Sequence, residues 1–284
     1  MTETRDNSWF VRAPASSANL GAGFDVLGMA LDLYADCGLG QAPADAQQID
    51  AHHPGRIAFE ALGGTGPMWM RCNIPMGRGL GFSGAARVSA AALAAVQTAG
   101  ADGIVDRGDE ILAYTAQLEG HGDNVAASLH GGVTGFVQGE FVSMPVGPTM
   151  AAANFVAWVP DVTTSTDKSR EALSSTVDRA DAVHNIGRAI QFVMAFVDDD
   201  PSLLASGAAD RLHQSVRLPG VHGAEEALVA GIAAGAWAGW LSGSGPTVGF
   251  MCPPSAVESV AAALPAGGHA KLLSIDTVGC RLER

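Results

Sequence analysis

The 284-residue chain is 48% hydrophobic and only 16% charged, with 36 glycines, a composition that excludes a disordered chain and leaves a turn-rich globule of one large or two ordinary domains. Its formal net charge of −13 argues against a nucleic-acid partner, so any anion site has to be built locally from backbone N–H groups, a helix N-terminus and a few arginines. Lys168 and Lys271 are the only lysines, which argues against a lysine-dependent phosphate site.

In chain order, residues 8–14 ("SWFVRAP") read as a strand, "SSANLGAGFD" as a loop, and "VLGMALDLYADCGL" as renewed extended structure. "MWMRCNI" reads as a strand entering a glycine loop. From Ser83 to Thr98, alanine with valine and leucine at helical spacing predicts a helix, stopped by Gly100. A second helix is expected over 109–118, a loop at "EGHGDN", and a hairpin in "GGVTGFVQGEFVSMPV". The second half starts with the strand "NFVAWVP". Helices are expected near 178–197, 200–213 and 223–234, strands near 237–241 and 247–251 around "SGSGP", a helix at 254–264 and a last strand at 270–282. Strands and helices mix without regular βαβ alternation, so the class is α+β, in two halves that divide at residue 150.

The polar start "MTETRDNSWF" has no signal-peptide apolar stretch. The uncharged run from Ala227 to Cys252 is broken by "SGSGP" and by repeated glycine, so no membrane span is expected. Cys37, Cys72, Cys252 and Cys280 lack C-x-x-C spacing and read as free thiols of a reducing, cytoplasmic setting.

The stretch "PMGRGLGFSGAARVSAAALAA" follows a strand and opens a helix. Successive N–H groups there could face one anion, with the helix dipole adding favourable potential and glycine leaving the backbone open. It lacks the G-K-[ST] ending of a Walker loop and an acidic ribose partner. Gly81-x-Ser83-x-Ala85 also fits a relaxed nucleophile elbow, although a loop this rich in glycine is atypical for one. By itself the stretch is either an anion cradle or a tight turn feeding a core helix.

Two further segments, "APASSANLGAGFDVLGMALDLY" (13–34) and "WLSGSGPTVGF" (240–250), complete a set of three separated glycine/serine motifs. This set, in this order, resembles the GHMP kinases, and within them the homoserine kinase branch. "EGHGDNVAASLHGG", "STDKSREAL", "DAVHNIGRA" and "LHQSVRLPG" extend the likeness over residues 10 to 252. The resemblance implies a two-domain GHMP kinase fold: 1–150 an ATP-binding half like domain 2 of ribosomal protein S5, and 151–284 a ferredoxin-like, substrate-side half. It implies transfer of the ATP γ-phosphoryl to the hydroxyl of L-homoserine, with Mg²⁺, in a homodimer.

By the same resemblance, Pro75, Gly77, Arg78, Gly79, Leu80, Gly81, Ser83, Gly84 and Ala85 would hold the nucleotide. Ser83 and Glu119 would be the metal ligands, with Gln117 an alternative for the acid. Asn19 and Asp25 would accept from the substrate ammonium. Arg170 and Arg217, with Thr166 and His121 nearby, would take its carboxylate, since paired guanidinium forks suit that group. Asn124 would aim the hydroxyl and Asp123 would orient the loop or assist the hydroxyl. Phosphoryl transfer through a loose transition state asks mainly for positioning and charge neutralisation, so little base strength is needed. Ser244 and Thr247 would support the site, Arg188 would be structural and Asn185 is left undecided.

One departure stands out. The family pattern "GLGSSAA" reads "GLGFSGAA" here, placing Phe82 where a serine is usual and Gly84 where an alanine is usual. The alternatives left by this are a relative acting on another small hydroxy acid such as pantoate, whose lack of an ammonium would leave Asp25 without a role, and a ligand-binding relative without catalysis.

Overall fold

The computed structural model describes residues 9–164 and 166–284, with the side chains of residues 166–168 outside that description. The chain opens with β1 (Phe10–Ala18), β2 (Leu27–Leu39), β3 (Gln47–Gln48), α1 (Pro54–Ala61) and β4 (Met68–Cys72). Then come α2 (Phe82–Ala99), α3 (Gly103–Asp106), α4 (Gly108–Glu119), α5 (Asp123–His130), β5 (Val133–Val137), β6 (Glu140–Met144) and α6 (Pro148–Ala151). The second half holds β7 (Asn154–Pro160), α7 (Thr166–Glu171), α8 (Arg179–Val197), α9 (Leu204–Gly207), α10 (Gln214–Arg217) and α11 (Ala224–Ala233). It ends with β8 (Ala238–Leu241), β9 (Val248–Cys252), α12 (Val257–Ala263), β10 (Gly268–Leu273) and β11 (Arg281–Glu283).

Among the described residues, β1 to β6 and β11 form one sheet with the central order β11-β1-β2-β4-β3, and β5 with β6 extends from β2. The other strands form a four-stranded antiparallel sheet in the order β10-β7-β9-β8. That order, with helices between its first and second and its third and fourth strands, is the ferredoxin-like arrangement expected for the second half. The chain does not stay there. After β10, Ile275 bridges back to Leu31 and β11 pairs with β1, so the C-terminus completes the first sheet.

Three cores hold these layers. One lies between the first sheet and α1, α2, α4 and α5; a second lies between the two sheets with α8; a third lies under α11 and α12. The β1–β2 pair shows how a local irregularity sets up the site. Val11 and Ala13 point into the helix-side core, and strict alternation would send Ala15 there too. The register instead shifts between Pro14 and Ala15, where proline has no N–H to give to the ladder, and Ala15 turns into the inter-sheet core. Ser16 is thereby turned to the helix side, where its N–H donates to the Leu80 carbonyl (3.2 Å) and its hydroxyl to Asn124 Oδ1 (2.8 Å).

Three expectations are corrected. The helix expected over 200–213 is interrupted: Asp210 accepts from the N–H groups of Leu212, His213 and Gln214, and this turn ends one short helix and starts another. The strand expected over 270–282 is two strands, separated where Asp276 accepts from the N–H groups of Val278 and Gly279. The loop expected at "EGHGDN" is shorter: its Asp123 and Asn124 open α5, which fits between Gly122 and Gly131 ahead of the hairpin of β5 and β6, which lies where it was expected. The four cysteines are free thiols, as expected, and burial pushes Cys37 up to about 12. Among the described residues no helix is long and apolar enough to cross a membrane.

Candidate functional site

The three glycine/serine motifs meet around one cavity of about 170 Å³. Its floor is the turn from Gly77 to Gly81, which runs into the N-terminus of α2. Gly81 caps α2 from the left-handed region (φ 70°) with no side-chain hydrogen bond, so the first N–H groups of the helix have no partner within it. Ala85 N–H is the first to find one, the Gly81 carbonyl (3.0 Å). A free positive helix end opening on a concave surface suits a phosphate oxygen.

The turn is pinned from both sides. Ser16 ties it to β1 as described, and Asn124, at the start of α5, takes the Ser16 hydroxyl on its oxygen, while its Nδ2 group, which donates one long hydrogen bond to Asp123 Oδ1 (3.4 Å), keeps a second N–H. From the other side, Ser242 Oγ donates to the Gly79 carbonyl (2.6 Å) and shares a hydrogen bond with Ser17 (2.8 Å). Thr164 adds its N–H to the Gly77 carbonyl (3.2 Å) and its hydroxyl to the Gly245 carbonyl (2.7 Å). Gly84 lets α2 lie against α5: a Cβ there would sit 3.3 Å from the Asn124 Cβ.

Phe82 does not close the turn. Its half-buried ring packs against the inter-sheet core and stands edge-on to His53 (centroids 6.2 Å apart, 84°), which leaves it as a wall of the cavity. We expect Phe82→Ser to lower stability by about 2 kcal/mol, roughly half the loss for a fully buried phenylalanine. kcat/KM for ATP should stay within about threefold, read from steady-state kinetics beside a melting curve. A collapse of ATP kinetics would make the ring part of the nucleotide site.

The opposite wall carries the polar residues singled out from the sequence. Asn19, buried and left-handed (φ 69°), donates to the Gly243 carbonyl (2.8 Å) and accepts from the Asp25 N–H (2.9 Å), which fixes Asp25 in its own left-handed conformation. Asp25 and Arg170 bind each other through two hydrogen bonds (2.6 and 2.9 Å), 33% and 37% exposed. Arg217 is different. It is 7% exposed, lies 5.2 Å over the Phe24 ring, gives its Nε–H to the Ser169 carbonyl (3.2 Å), and makes no ion pair among the described residues.

His213, fully buried, explains how Arg217 is held. Its Nε2 faces the Gly21 carbonyl (3.0 Å), which can only accept, so Nε2 carries the proton. Burial lowers the His213 pKa against the pull of Asp210 and favours the neutral ring. Nδ1 is then an acceptor, and Arg217 Nη1 lies 3.4 Å from it. His121 gives its Nδ1–H to Asp123 (2.7 Å), and the same carboxylate oxygen accepts from the Asn124 N–H (2.7 Å), so Asp123 orients both neighbours.

The cavity thus brings together Asn19, Asp25, Pro75, Gly77, Arg78, Gly79, Gly81, Ser83, Gly84, Glu119, His121, Asp123, Asn124, Arg170 and Arg217. It does not include the side chains of Leu80 and Ala85, which are buried in the inter-sheet core. The Thr166 side chain lies outside the described residues. Asn185 is structural: it donates to Asp210 (2.7 Å) and to the Ala22 carbonyl (3.2 Å). Among the described residues Arg188 donates to its neighbour Gln191 (2.8 Å). Sequence reasoning missed Ser16, Thr164, His213 and Arg87. All four lie inside or beside motifs it quoted.

Arg87 bears on the metal. Ser83 and Glu119 do converge, but the Arg87 guanidinium is in contact with both, hydrogen-bonded to the hydroxyl and ion-paired with the carboxylate. A hydroxyl and a carboxylate already neutralised by an arginine do not fit a protein-held divalent ion.

The chain matches the model of the GHMP kinases N terminal domain over residues 53–132 and that of the GHMP kinases C terminal domain over 195–270. It is 39% identical to the homoserine kinase of Desulfitobacterium hafniense, over 95% of this chain and 98% of that one. It is 35% identical to that of Gloeobacter violaceus, over 96% and 98%. Among solved structures, a homoserine kinase from Cytophaga hutchinsonii shares the fold (TM-score 0.82, 23% identity, 100% and 99% covered), as does the Methanococcus jannaschii mevalonate kinase (TM-score 0.68, 11% identity, 95% and 99% covered). The chain belongs to the GHMP kinase family, in the branch of the homoserine kinases.

Proposed function

We propose that the protein transfers the γ-phosphoryl of ATP to the side-chain hydroxyl of L-homoserine, giving O-phospho-L-homoserine and ADP. The reading rests on near-full-length similarity to homoserine kinases, joined to one arrangement: a buried arginine without a carboxylate partner among the described residues, facing a helix N-terminus across a single cavity.

The roles follow from charge and donor type. Backbone N–H groups of the Gly77–Ser83 turn and the start of α2 take the phosphates, so no lysine is needed. Arg217 takes the homoserine carboxylate. Arg170 is already satisfied by Asp25, and its contribution is to orient that carboxylate. Asp25 and the Asn19 oxygen, which keep lone pairs beyond the bonds described, take the ammonium. Asn124, with its oxygen held by Ser16, turns Nδ2 toward the hydroxyl, and Asp123 holds Asn124 and His121 in register. Positioning of this kind and charge neutralisation carry most of the catalysis in phosphoryl transfer. Mg²⁺ would come as the counter-ion of the nucleotide. A homodimeric, cytoplasmic enzyme is the form the family resemblance implies.

The test is ADP release with homoserine, pantoate, shikimate and mevalonate in parallel, with the product identified by ³¹P NMR. Homoserine should be turned over best. Preference for pantoate would reassign the substrate, and binding without turnover of any hydroxy acid would make the protein a ligand-binding relative.

A further inference from the structure

Arg87 is the only charged residue in the 18-residue helix α2, whose middle is alanine, valine and leucine buried in the helix-side core. Side chains on a helix lean toward its N-terminus, so an arginine here reaches back one turn, over Ser83. There it meets Glu119, the last residue of α4, at a helix end where the dipole is negative and a carboxylate is disfavoured unless a cation faces it. The Glu119 and Arg87 side chains are 11% and 18% exposed, so the pair is largely withdrawn from water. A buried pair of this kind is neutral overall, and removing one member leaves an uncompensated charge.

The two groups Arg87 holds are the two that a divalent ion would need. We propose that Arg87 takes the protein-side cation position of the phosphate site: Ser83 and Glu119 hold its guanidinium in place, and the divalent ion is bound by the nucleotide alone. This deepens the kinase reading and rests on it only for the word phosphate; the juxtaposition of Ser83, Arg87 and Glu119 stands without it. It gives Arg87 a positioning role, fixing the Ser83 hydroxyl at the mouth of α2. It also predicts that Glu119 is a partner of arginine and not of metal.

The experiment needs no nucleotide and no turnover. Free Mn²⁺ is titrated by electron paramagnetic resonance into the wild-type protein and into Arg87→Met, Arg87→Lys and Arg87→Met with Glu119→Gln. Methionine keeps an unbranched stem of similar reach while removing the charge. A melting curve checks each fold, and Arg87→Gln replaces the methionine variant if that one is unfolded. Arg87→Met should bind Mn²⁺ at least about tenfold more tightly than wild type, because Glu119 is released. Arg87→Lys should behave as wild type, and Glu119→Gln should abolish the gain. Wild type binding Mn²⁺ as tightly as Arg87→Met would overturn the proposal, as would a gain that survives Glu119→Gln. ADP release by the wild-type protein is measured separately, so a failure of the kinase reading is told apart from a failure here.

Discussion

Replacing Arg217 by glutamine should raise KM for homoserine by about 10²–10⁴-fold while KM for ATP changes by less than about threefold. The size follows from the bonds lost: a charged hydrogen bond contributes ~1.5–3 kcal/mol, a fork to a carboxylate makes two, and each 1.4 kcal/mol is tenfold. The asymmetry follows from position. Arg217 sits at the end of α10 against Phe24 and His213, on the wall opposite the glycine turn. It is also the guanidinium with no carboxylate partner among the described residues, whereas Arg170 shares its charge with Asp25. Burial without an ion pair among the described residues costs free energy, lowers its pKa, and is consistent with a site built for an incoming anion. The sharper measurement uses 3-aminopropan-1-ol, which is homoserine without its carboxylate. Wild type and Arg217→Gln should then use it about equally poorly. A variant that loses as much against the amino alcohol as against homoserine would show that Arg217 shapes the cavity and does not bind the carboxylate. Lysine should rescue little, since it offers a point charge in place of a planar fork.

The contrast between Arg170 and Arg217 marks how far the sequence was legible. Both arginines stood in motifs that matched the family, and both reach the cavity. Nothing in the spacing distinguishes one paired with Asp25 from one buried without an ion pair, because that depends on side chains 145 residues apart in sequence. The same holds for Ser83 and Glu119, which belong together as expected, while the arginine between them reads in sequence as one more residue of an alanine-rich helix. Regular elements with strong periodicity, α2, α8 and β7, lie where the pattern put them. Elements governed by single capping carboxylates do not: Asp210 and Asp276 each redirect the backbone by accepting several N–H bonds at once, and an isolated aspartate carries no periodic signal. Leu80 and Ala85 were included with the glycine turn because the stretch is continuous. The fold separates them, since a turn that presents its backbone to a ligand sends its apolar side chains the other way.

Gly79→Ala should be far more damaging than Gly77→Ala, and the comparison of the two isolates the reason. Both glycines are left-handed, at φ 73° and 66°, so alanine costs each about 1–2 kcal/mol of backbone strain. Around Gly77 a Cβ would meet nothing nearer than 3.5 Å, so that strain is the whole cost. At Gly79 the Cβ would run into the Ser242 carbonyl and come within 2.8 Å of the Gly245 carbonyl, both backbone atoms of the "SGSGP" turn. That turn cannot yield freely, because Ser242 is bonded to Ser17 and Gly79, and Thr164 to Gly245. Overpacking adds ~1–3 kcal/mol, and relief comes only by shifting the glycine turn away from the third motif. The melting temperature of Gly79→Ala should therefore fall several degrees below that of Gly77→Ala, at about 2–4 °C per kcal/mol. The functional loss should be larger still. A displaced turn no longer aims its N–H groups with the start of α2, and losing two charged hydrogen bonds at ~1.5–3 kcal/mol each raises KM for ATP by at least about 100-fold. KM for homoserine should change much less, since Asn19, Asp25 and Arg217 stand on other elements. Equal ATP kinetics in the two variants would mean that the contact between the second and third motifs does not set the phosphate cradle, and the nucleotide would have to be held elsewhere along the cavity.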